Sequence, residues 1–305
     1  MKIAIIGLGK MGGNMARRLQ AGNIEVVAYN RTPEKTQELT EEIGLQPAYS
    51  YKEVISYLDQ PRIIWSMVPA GETTRLVAQE FYELLDIDDI FIDGGNSYYK
   101  DSMELAMMFL KKGIHFLDVG VSGGIWGLKE GYSLMIGGER KIADYLKSVF
   151  EVLAPGKEKG WGYVGPHGAG HFVKMVHNGI EYGMMEALAE GFEIMHAKQE
   201  FNINLEEVAG IWQNGSVVRS WLLDLTHDAL SEDNELSSIE SWVDDSGEGR
   251  WTAHEAIDLG VPTPVITDAL FRRFDSRQPD SFALKTLAAM RNKFGGHSIK
   301  EKKGE

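Results

Sequence analysis

The first half of the chain alternates short apolar segments with stretches in which apolar residues recur at helical spacing. The apolar segments predict strands at Lys2–Ile6, Glu25–Tyr29, Ile63–Met67, Ile90–Asp93, His115–Val119 and Ser133–Ile136. The helical spacing predicts helices at Met11–Ala21, Pro33–Ile43, Glu72–Leu85, Ser102–Lys112 and Ala143–Leu153. Because strands alternate with helices, the pattern predicts βαβ units and a mostly parallel sheet. Strands rich in isoleucine and valine are typical of a sheet covered on both faces.

The pattern changes in the second half of the chain. Two glycine-bounded breaks, at Gly156–Gly160 and Gly165–Gly168, separate the last predicted strand from the helical half of the chain. From Ala169 to His196 the sequence predicts one long helix, and mainly helical segments come after it. We therefore predict an α/β domain over residues 1–165, followed by an all-α domain over residues 166–305 for substrate binding and oligomerisation.

Composition narrows the class of protein. The 305 residues fit two domains at about 150 residues each. With 43% hydrophobic and 25% charged residues, the chain is globular in composition rather than disordered, collagen-like or coiled-coil. The absence of cysteine excludes disulfides, thiolate nucleophiles and cysteine-ligated metals. The net charge of −14 opposes non-specific nucleic-acid binding.

The N-terminus indicates where the protein works. Met1-Lys2 leads at once into a strand-like segment, which is not the pattern of a signal peptide. No apolar run approaches the roughly 18 residues that a membrane span needs. We therefore expect a cytoplasmic protein with neither a membrane nor a nucleic-acid partner.

The segment Gly7-Leu8-Gly9-Lys10-Met11-Gly12 follows the first predicted strand and opens a helix. This G-x-G-x-x-G spacing inside a βαβ unit is typical of dinucleotide binding and makes the predicted domain Rossmann-type. The first glycine permits a tight turn, the second lets a pyrophosphate approach, and the third allows close helix packing. The pyrophosphate is expected at the helix N-terminus, where free N–H groups favour anions. A purely structural turn is the alternative.

The end of the second predicted strand bears on which dinucleotide binds. A site specific for NAD usually has Asp or Glu about 20 residues downstream, whereas this chain has Asn30, Arg31 and Thr32. Arg31 can pair with a 2′-phosphate through two hydrogen bonds, and Asn30 does not repel it. Thr32 is also a predicted N-cap before Pro33. We predict NADP, with NAD possible; the alternative is that Arg31 is a solvated surface residue.

The long predicted helix has a polar stripe. Lys174, His177, Asn178, Glu181 and Tyr182 follow one another at steps of 3, 1, 3 and 1, which puts them on one face. A lysine amine shielded from water can act as a general base, and a glutamate further along can act as a second proton donor. The stripe therefore predicts a reaction with more than one proton transfer. A hydrogen-bonded interdomain helix is the alternative.

Two glycine-rich loops follow predicted strands of the first domain. Asp93–Ser97 follows one strand, and Asp118–Gly124 includes the end of the next. Open α/β sheets bind ligands at the carboxyl ends of their strands, and paired glycines let the backbone approach a ligand. Asn96 and Ser122 are the hydrogen-bonding side chains expected there. A plain turn is the alternative for either loop.

These segments resemble the 6-phosphogluconate dehydrogenase family, which decarboxylates its substrate in the oxidative pentose phosphate pathway. The resemblance spans almost the whole chain. It rests on the segments Gly7–Gly12, Asn30–Thr32, Asp93–Ser97, Val121–Gly124, His171–Tyr182 and Arg291–His297. It implies oxidation of 6-phospho-D-gluconate to D-ribulose 5-phosphate and CO₂, with reduction of NADP or NAD.

The same resemblance implies roles for individual residues. Lys174 corresponds to the base for the 3-hydroxyl, and Glu181 to the acid that protonates C1 after decarboxylation. The residues implied in holding the sugar acid are Asn96, Ser122, Gly123, Gly124, Lys174, His177, Asn178 and Glu181. Those implied in binding the 6-phosphate are Tyr182, Arg273 and Arg291, with His297 beside them. The candidate cofactor-binding residues are Gly7, Leu8, Gly9, Lys10, Met11, Gly12, Asn30, Arg31, Thr32, Val68 and Asn96.

The resemblance also implies an oligomer and shows two departures. In the family, the tail arginine and histidine reach into the partner's site, which implies a homodimer or higher homo-oligomer with shared sites. This chain lacks the family's long duplicated helical region, so it resembles the short branch. A lysine and a threonine that family members use near Asp244–Thr252 are not evident, and Ser246–Arg250 stands there instead. A glutamate at position 248 would repel a phosphate unless it points away.

Two other functions remain open from the residues. A 3-hydroxyacid dehydrogenase of the β-hydroxyacid group would share the cofactor motif, the Ser-Gly-Gly loop and the helix lysine. A non-catalytic NADP-binding regulator would share the fold, although Lys174, Asn178 and Glu181 argue against it. No histidine and carboxylate cluster has ligand spacing, so we predict no metal.

Overall fold

The computed structural model describes residues 1–300, and the chain divides into two compact units between Asn178 and Gly179. This division falls within the long helix. The predicted domain boundary between residues 165 and 166 therefore stays a prediction. Residues 301–305, at the end of the predicted C-terminal domain, lie outside the described residues.

The first unit is built on one eight-stranded sheet. Its strands are β1 (Lys2–Ile6), β2 (Glu25–Tyr29), β3 (Gln46–Pro47), β4 (Ile63–Ser66), β5 (Ile90–Asp93), β6 (His115–Ser122), β7 (Ser133–Gly138) and β8 (Trp161–Gly165). They lie in the order β3-β2-β1-β4-β5-β6-β7-β8. Every neighbouring pair is parallel except β6 and β7, which are antiparallel. The parallel-dominated sheet confirms the predicted Rossmann-type fold class.

Helices connect these strands and cover both faces of the sheet. They are α1 (Lys10–Ala21), α2 (Pro33–Ile43), α3 (Tyr51–Ser56), α4 (Glu72–Leu84), α5 (Tyr99–Lys111), α6 (Gly127–Glu130), α7 (Arg140–Tyr145) and α8 (Lys147–Leu153). On one face, fully buried Trp65 packs in a cluster with residues of α1 and α8. On the other, fully buried Phe91 and Phe116 pack with residues of α4 and α5. Burial of each such side chain stabilises the fold by about 1.5–3 kcal/mol.

Some predicted bounds are wrong in detail. The predicted helix Ala143–Leu153 is two helices, α7 and α8, which meet at Leu146. The predicted strand ending at Val119 continues through Ser122, because β7 pairs with it over six residues. Strand β8 had no predicted counterpart, since its residues are only partly buried at the edge of the sheet and two of them are glycine.

The described residues of the second unit form helices and connecting segments, with no strand. Its helices are the rest of α9 (Ala169–Ala197), α10 (Leu205–Gln213), α11 (Trp221–Glu232), α12 (Glu248–Leu259), α13 (Pro264–Asp275) and α14 (Phe282–Gly295). Serine and asparagine N-caps begin three of them, at Asn204, Ser220 and Ser281. Two small apolar clusters hold this unit, one around Leu223 and one around Tyr182. The predicted all-α second domain is confirmed.

Within residues 1–300, no helix combines the length and apolarity that crossing a bilayer requires. The expected cytoplasmic location stays a prediction.

Candidate active site

The glycine loop lies where the strand order of the sheet reverses. Strand β1 has β2 on one side and β4 on the other, and such switch points bind ligands in open α/β sheets. The Gly7 N–H donates to the Tyr29 carbonyl at 2.9 Å, and the Met67 N–H donates to the Ile6 carbonyl at 2.7 Å. The loop is therefore tied to both neighbouring strands. Val68 follows β4 at the same edge.

Each of the three glycines of the loop has a different structural role. Gly7 has a φ of 97°, and a Cβ there would lie 2.7 Å from the Met67 carbonyl oxygen. A Cβ on Gly12 would lie 2.0 Å from the Gly7 carbonyl oxygen, so a side chain would push α1 away from the loop. Gly9 has open space around its Cβ position. The second glycine is thus the place where a pyrophosphate can approach the backbone.

The first turn of α1 is suited to an anion. Gly9 is its N-cap and offers no side-chain acceptor, and no acidic residue lies in the first turn. The N–H groups of Lys10 and Met11 therefore have no side-chain cap in competition with a ligand. These residues fit the pyrophosphate of a dinucleotide.

The Asn30–Thr32 segment supports the loop and carries no carboxylate. The Leu8 N–H donates to Asn30 Oδ1 at 2.9 Å, and Asn30 Nδ2 donates to the Thr32 carbonyl at 3.1 Å. Thr32 is the N-cap of α2, as predicted, although its hydroxyl makes no capping hydrogen bond. Arg31 is exposed. Lys35, which no sequence motif singled out, lines a groove of about 400 Å³ with Gly9 and Lys10. Its place in the first turn of α2 could have revealed it.

Asp118 anchors the beginning of α9 to the sheet. Its Oδ1 accepts from the Gly168 N–H at 2.7 Å and its Oδ2 from the His171 N–H at 3.0 Å. A carboxylate is favourable at a helix N-terminus because of the helix dipole. A Cβ on Gly120 would lie 2.5 Å from Lys174 Cβ, so the absent side chain lets α9 pack directly on β6. Asp118 thus fixes the turn that carries Lys174.

Four predicted residues form one hydrogen-bonded group in the first unit. Lys174 is 8% exposed, and its Nζ donates to Asn178 Oδ1. His177 Nδ1 lies 3.1 Å from the same oxygen, and its Nε2 lies 3.5 Å from Ser122 Oγ. Because an amide oxygen only accepts, Nδ1 of His177 carries the proton. Gly123 and Gly124 follow Ser122 with φ of 135° and 52°, and Gly124 has open space at its Cβ position.

Asn96 is exposed on the loop after β5. The loop is tied to the sheet by the Gly94 N–H, which donates to the Ser66 carbonyl at 2.9 Å, and by the Gly95 N–H, which donates to Asp93 Oδ1 at 3.1 Å. The predicted loop thus lies at a strand's carboxyl end, with its amide side chain open to solvent.

In the second unit, Tyr182 and Arg273 lie together. The Arg273 guanidinium is 3.5 Å from the centre of the Tyr182 ring, a cation–π contact. The Ser246 N–H donates to the Tyr182 hydroxyl at 3.3 Å. Glu248 is buried and accepts from Ser246 Oγ at 2.6 Å. The glutamate that departs from the family pattern is therefore held inward by Ser246.

Two other arginines beside this pair have carboxylate partners. Arg250 Nε donates to Asp245 Oδ1 at 2.7 Å, and Arg277 Nη2 donates to Asp245 Oδ2 at 2.7 Å. The hydrogen bond from Arg250, followed by that from Arg277, lowers the pKa of Asp245 to about 2. Within residues 1–300, Arg273 makes no ion pair, and its Nη1 donates to the Asp244 carbonyl at 2.9 Å. Arg273 therefore keeps an uncompensated positive charge.

The remaining predicted residues lie on two helices. Glu181 is half-buried on α9, directly before Tyr182. Arg291 is exposed on α14, and its side chain makes no hydrogen bond or ion pair within residues 1–300. His297 follows that helix, with its ring 6.1 Å from the Phe294 ring. In the described part of the chain, no three histidine or acidic side chains are placed to share a metal ion.

Comparisons with known family profiles and sequences all indicate the same family. The profile described as the NAD-binding domain of 6-phosphogluconate dehydrogenase matches residues 2–165, and that of the C-terminal domain matches residues 170–304. The NAD(+)-dependent decarboxylating 6-phosphogluconate dehydrogenase of Haloferax volcanii is 38% identical over 303 residues, 99% of each chain. An NADP(+)-dependent relative from Bacillus subtilis is 38% identical over 289 residues, 90% of this chain and 61% of its own.

Solved structures show the same architecture. The 6-phosphogluconate dehydrogenase of Plasmodium falciparum, studied with NADP+ and with 6-phosphogluconate, has a TM-score of 0.84 at 28% identity and covers 100% of this chain and 67% of its own. A 3-hydroxyisobutyrate dehydrogenase from Salmonella typhimurium shares the fold with a TM-score of 0.72 at 19% identity, over 88% and 92% of the two chains.

Proposed function

This chain belongs to the 6-phosphogluconate dehydrogenase family and is an oxidoreductase of the decarboxylating type, and from that premise we propose its reaction. It oxidises 6-phospho-D-gluconate at C3 and releases C1 as CO₂, giving D-ribulose 5-phosphate, the step that the resemblance places in the pentose phosphate pathway. The observation that carries the proposal is the buried Lys174 amine, held by Asn178 beside the Ser122–His177 pair.

Lys174 takes the proton of the 3-hydroxyl. Its burial excludes most water, and Asn178 holds its Nζ in one place, so little reorganisation is needed when substrate binds. A bound nicotinamide dinucleotide supplies the oxidant that accepts hydride from C3. The resulting β-keto acid loses CO₂ readily, and the protonated Lys174 then donates a hydrogen bond to the developing enolate oxygen.

Glu181 completes the reaction as a proton donor. It lies on the same helix as Lys174 and directly precedes Tyr182. After CO₂ leaves, it protonates the carbon that becomes C1 of ribulose 5-phosphate. Asn96, Ser122, Gly123, Gly124, His177 and Asn178 hold the sugar acid by hydrogen bonds.

Arg273 binds the 6-phosphate with Tyr182. The support is that Arg273 has no carboxylate partner in residues 1–300, whereas Arg250 and Arg277 share Asp245. Glu248 does not oppose this role, because its carboxylate accepts from Ser246 rather than facing outward.

NADP is the proposed cofactor, with NAD as the weaker alternative. Asn30 places no charge at the end of β2, and its side chain braces the glycine loop through Leu8. Exposed Arg31 and Lys35 can pair with a 2′-phosphate at the N-terminus of α2. Since relatives named for NAD and for NADP are equally similar in identity, these side chains carry the argument.

A homodimer completes the phosphate site in this proposal. Helix α14 has no buried residue, and its Leu287, Met290 and Phe294 are exposed by 52%, 51% and 80%. These three follow one another at steps of 3 and 4, so they form one largely exposed apolar stripe. A monomer would leave that stripe in water.

The same unit carries a groove that fits this stripe. It has a volume of about 820 Å³, with apolar side chains that include Phe192 and Leu230. Its polar lining includes Glu193, Glu235 and Glu240, whereas residues 281–300 contain lysine and arginine but no acid. We therefore place α14 of one copy in the groove of the partner, which would bring the partner's Arg291 and His297 to the phosphate.

A direct assay tests the reaction. The purified protein is incubated with 6-phosphogluconate and either NADP or NAD, and reduced cofactor is followed at about 340 nm together with CO₂ release. Equal amounts of both products, with NADP favoured, support the proposal. Reduction of cofactor only with 3-hydroxyisobutyrate, without CO₂, would instead assign the β-hydroxyacid group, and cofactor binding with no turnover would assign a regulator.

A further inference from the structure

Three polar side chains are buried beneath the Asn96 loop and take no part in the proposed reaction. Asp93 is 1% exposed, Ser102 is fully buried, and His171 is 1% exposed. Buried polar groups are costly unless they are hydrogen-bonded, and three of them close together need a structural or functional reason. They join β5, α5 and α9 of the first unit.

The distances orient a short hydrogen-bonded chain. Ser102 Oγ lies 2.7 Å from His171 Nδ1 and 3.5 Å from the Tyr98 carbonyl oxygen. His171 Nε2 is buried and has no hydrogen-bond partner among the described residues, so a proton on Nδ1, donated to Ser102 Oγ, avoids a buried N–H without an acceptor. Asp93 Oδ2 lies 3.9 Å from the same Nδ1 atom. The chain therefore runs from His171 through Ser102 to Tyr98.

This chain joins the two segments that carry reacting groups. Tyr98 and Ser102 follow Asn96 on the segment from β5 into α5, while His171 lies one turn before Lys174 on α9. The His171 backbone N–H is held by Asp118, so the ring contact with Ser102 ties α5 to an anchored first turn of α9. The His171 side chain thus links the segment that carries Asn96 to the helix that carries Lys174.

We propose that His171 is a positioning residue, whose Nδ1–H holds the Asn96 loop at a fixed distance from Lys174. Its effect on turnover rests on the proposed function. Misplacement of reacting groups by about 1 Å can reduce a rate by about 10², so loss of this hydrogen bond should lower kcat more than it weakens dinucleotide binding.

Two substitutions at His171 distinguish the position of the hydrogen-bond donor from the volume of the side chain. In His171→Asn, the side-chain amide can place a donor near the position of Nδ1; in His171→Gln, the donor lies near the position of Nε2. We expect His171→Phe and His171→Gln to lower kcat about 10- to 100-fold, while the dissociation constant for NADP stays within about twofold. His171→Asn should recover most of the loss.

Two serine substitutions, Ser102→Ala as the test and Ser56→Ala as the matched control, examine the acceptor of the His171 proton. Ser102→Ala should lower kcat in the same direction as His171→Gln, because it removes the acceptor of Nδ1–H. Ser56→Ala also removes a helical serine hydroxyl that donates to a carbonyl, but on α3, away from the chain. It should leave kcat unchanged. Thermal unfolding of each variant shows whether it is folded.

Nitrogen NMR of the His171 ring tests the positioning chain without any turnover. The expected spectrum of the parent shows a protonated Nδ1 and an unprotonated Nε2, and Ser102→Ala perturbs the Nδ1 resonance. A parent that is inactive on 6-phosphogluconate would contradict the proposed function but not this tautomer. An Nε2–H tautomer, or a Gln variant that is as active as the Asn variant, would overturn the positioning role.

Discussion

The two units of the chain differ in how completely they bury their apolar side chains. In the first unit, Trp65, Phe91 and Phe116 have no exposed surface. In the second, Val217, Phe282 and Phe294 are exposed by 98%, 81% and 80%. A contiguous exposed apolar stripe such as that on α14 is typical of a protein interaction site. The first unit thus completes its core within one chain, while the second has surface that a partner copy can cover.

The same contrast applies to the candidate active site. In the first unit, Lys174, Asn178, His177 and Ser122 are linked to one another by hydrogen bonds. In the second, Arg273 has one aromatic partner and Arg291 is exposed on a helix without buried residues. The proposed reacting groups of the first unit are therefore prearranged within one chain, whereas the proposed phosphate site would be completed by a neighbouring copy.

Loss of Lys174 should have the largest effect, because it removes the reacting group of the self-contained unit. Lys174→Met should reduce kcat by a factor of about 10² to 10⁴, and fluorescence titration should show nearly unchanged NADP binding. Lys112→Met is the matched control, since Lys112 donates to the Tyr82 carbonyl at 2.7 Å away from the reacting residues. Lys174→Met activity within threefold of the parent would contradict the role of the base.

Cofactor choice should change by a similar order, again through the first unit alone. Asn30→Asp places a negative charge where the 2′-phosphate is expected, and Arg31→Ile removes a charged donor. Each such hydrogen bond contributes about 1.5–3 kcal/mol, so the double variant should shift kcat/KM towards NAD by about 100-fold or more. Arg140→Ile, which breaks an exposed ion pair on α7, is the control. A parent that already prefers NAD would show that Asn30–Thr32 does not select NADP.

Charge on the apolar stripe of α14 should dissociate the proposed dimer. In Leu287→Asp with Met290→Asp, two carboxylates would be buried against a groove that already contains Glu193, which is unfavourable. Sedimentation should show a dimer dissociation constant raised about tenfold or more. Met107→Asp replaces an equally exposed residue of the first unit and should leave the dimer intact. Unchanged association of the α14 variant would place the interface elsewhere.

The smallest effect is expected at Asp245, whose stabilising contacts lie within one chain. Its pKa is lowered to about 2 by Arg250 and Arg277, so the stabilisation is complete above about pH 4 and is lost as the pH falls towards 2. Asp245→Asn should lower the free energy of unfolding by about 1–2 kcal/mol at pH 7.

Urea denaturation at several pH values measures that difference. The difference in unfolding free energy between the parent and Asp245→Asn should become smaller below about pH 4, as the parent carboxylate becomes protonated. Asp144→Asn, in the exposed pair with Arg140, should change stability by less than about 1 kcal/mol. A loss at Asp245 that stays constant down to pH 2 would mean that the charge of this carboxylate does not stabilise the unit.

Local sequence patterns predicted those strands and helices whose bounds are set by nearby residues. Strands β1 and β5 and the helix after Pro33 have the predicted bounds because periodicity and the proline fix them locally. Strand β8 and the division of α7 from α8 depend on packing at the sheet edge. Such contacts connect residues that are distant in sequence and leave no local pattern.

The candidate site shows the same limit. The Lys174–Asn178 pair was predictable because one helix carries both residues. The support from Asp118 was not, because it depends on the Asp118 carboxylate meeting the helix N-terminus across the sheet. The inward position of Glu248 likewise depends on Ser246, which no charge rule reveals. The identity of the candidate site residues can thus be predicted in part from local sequence patterns. The contacts that hold those residues in place depend on the tertiary structure.

Subunit mixing tests most directly whether the second unit needs a neighbouring copy. Arg291→Ala should raise KM for 6-phosphogluconate far more than KM for NADP, and Lys174→Met should be nearly inactive. If the tail serves the partner's site, a hybrid dimer of the two variants has one site with both changes and one with neither. Activity should then return, up to half that of the parent sites. No recovery after verified subunit exchange would show that Arg291 serves its own subunit, and the shared-site account would be wrong.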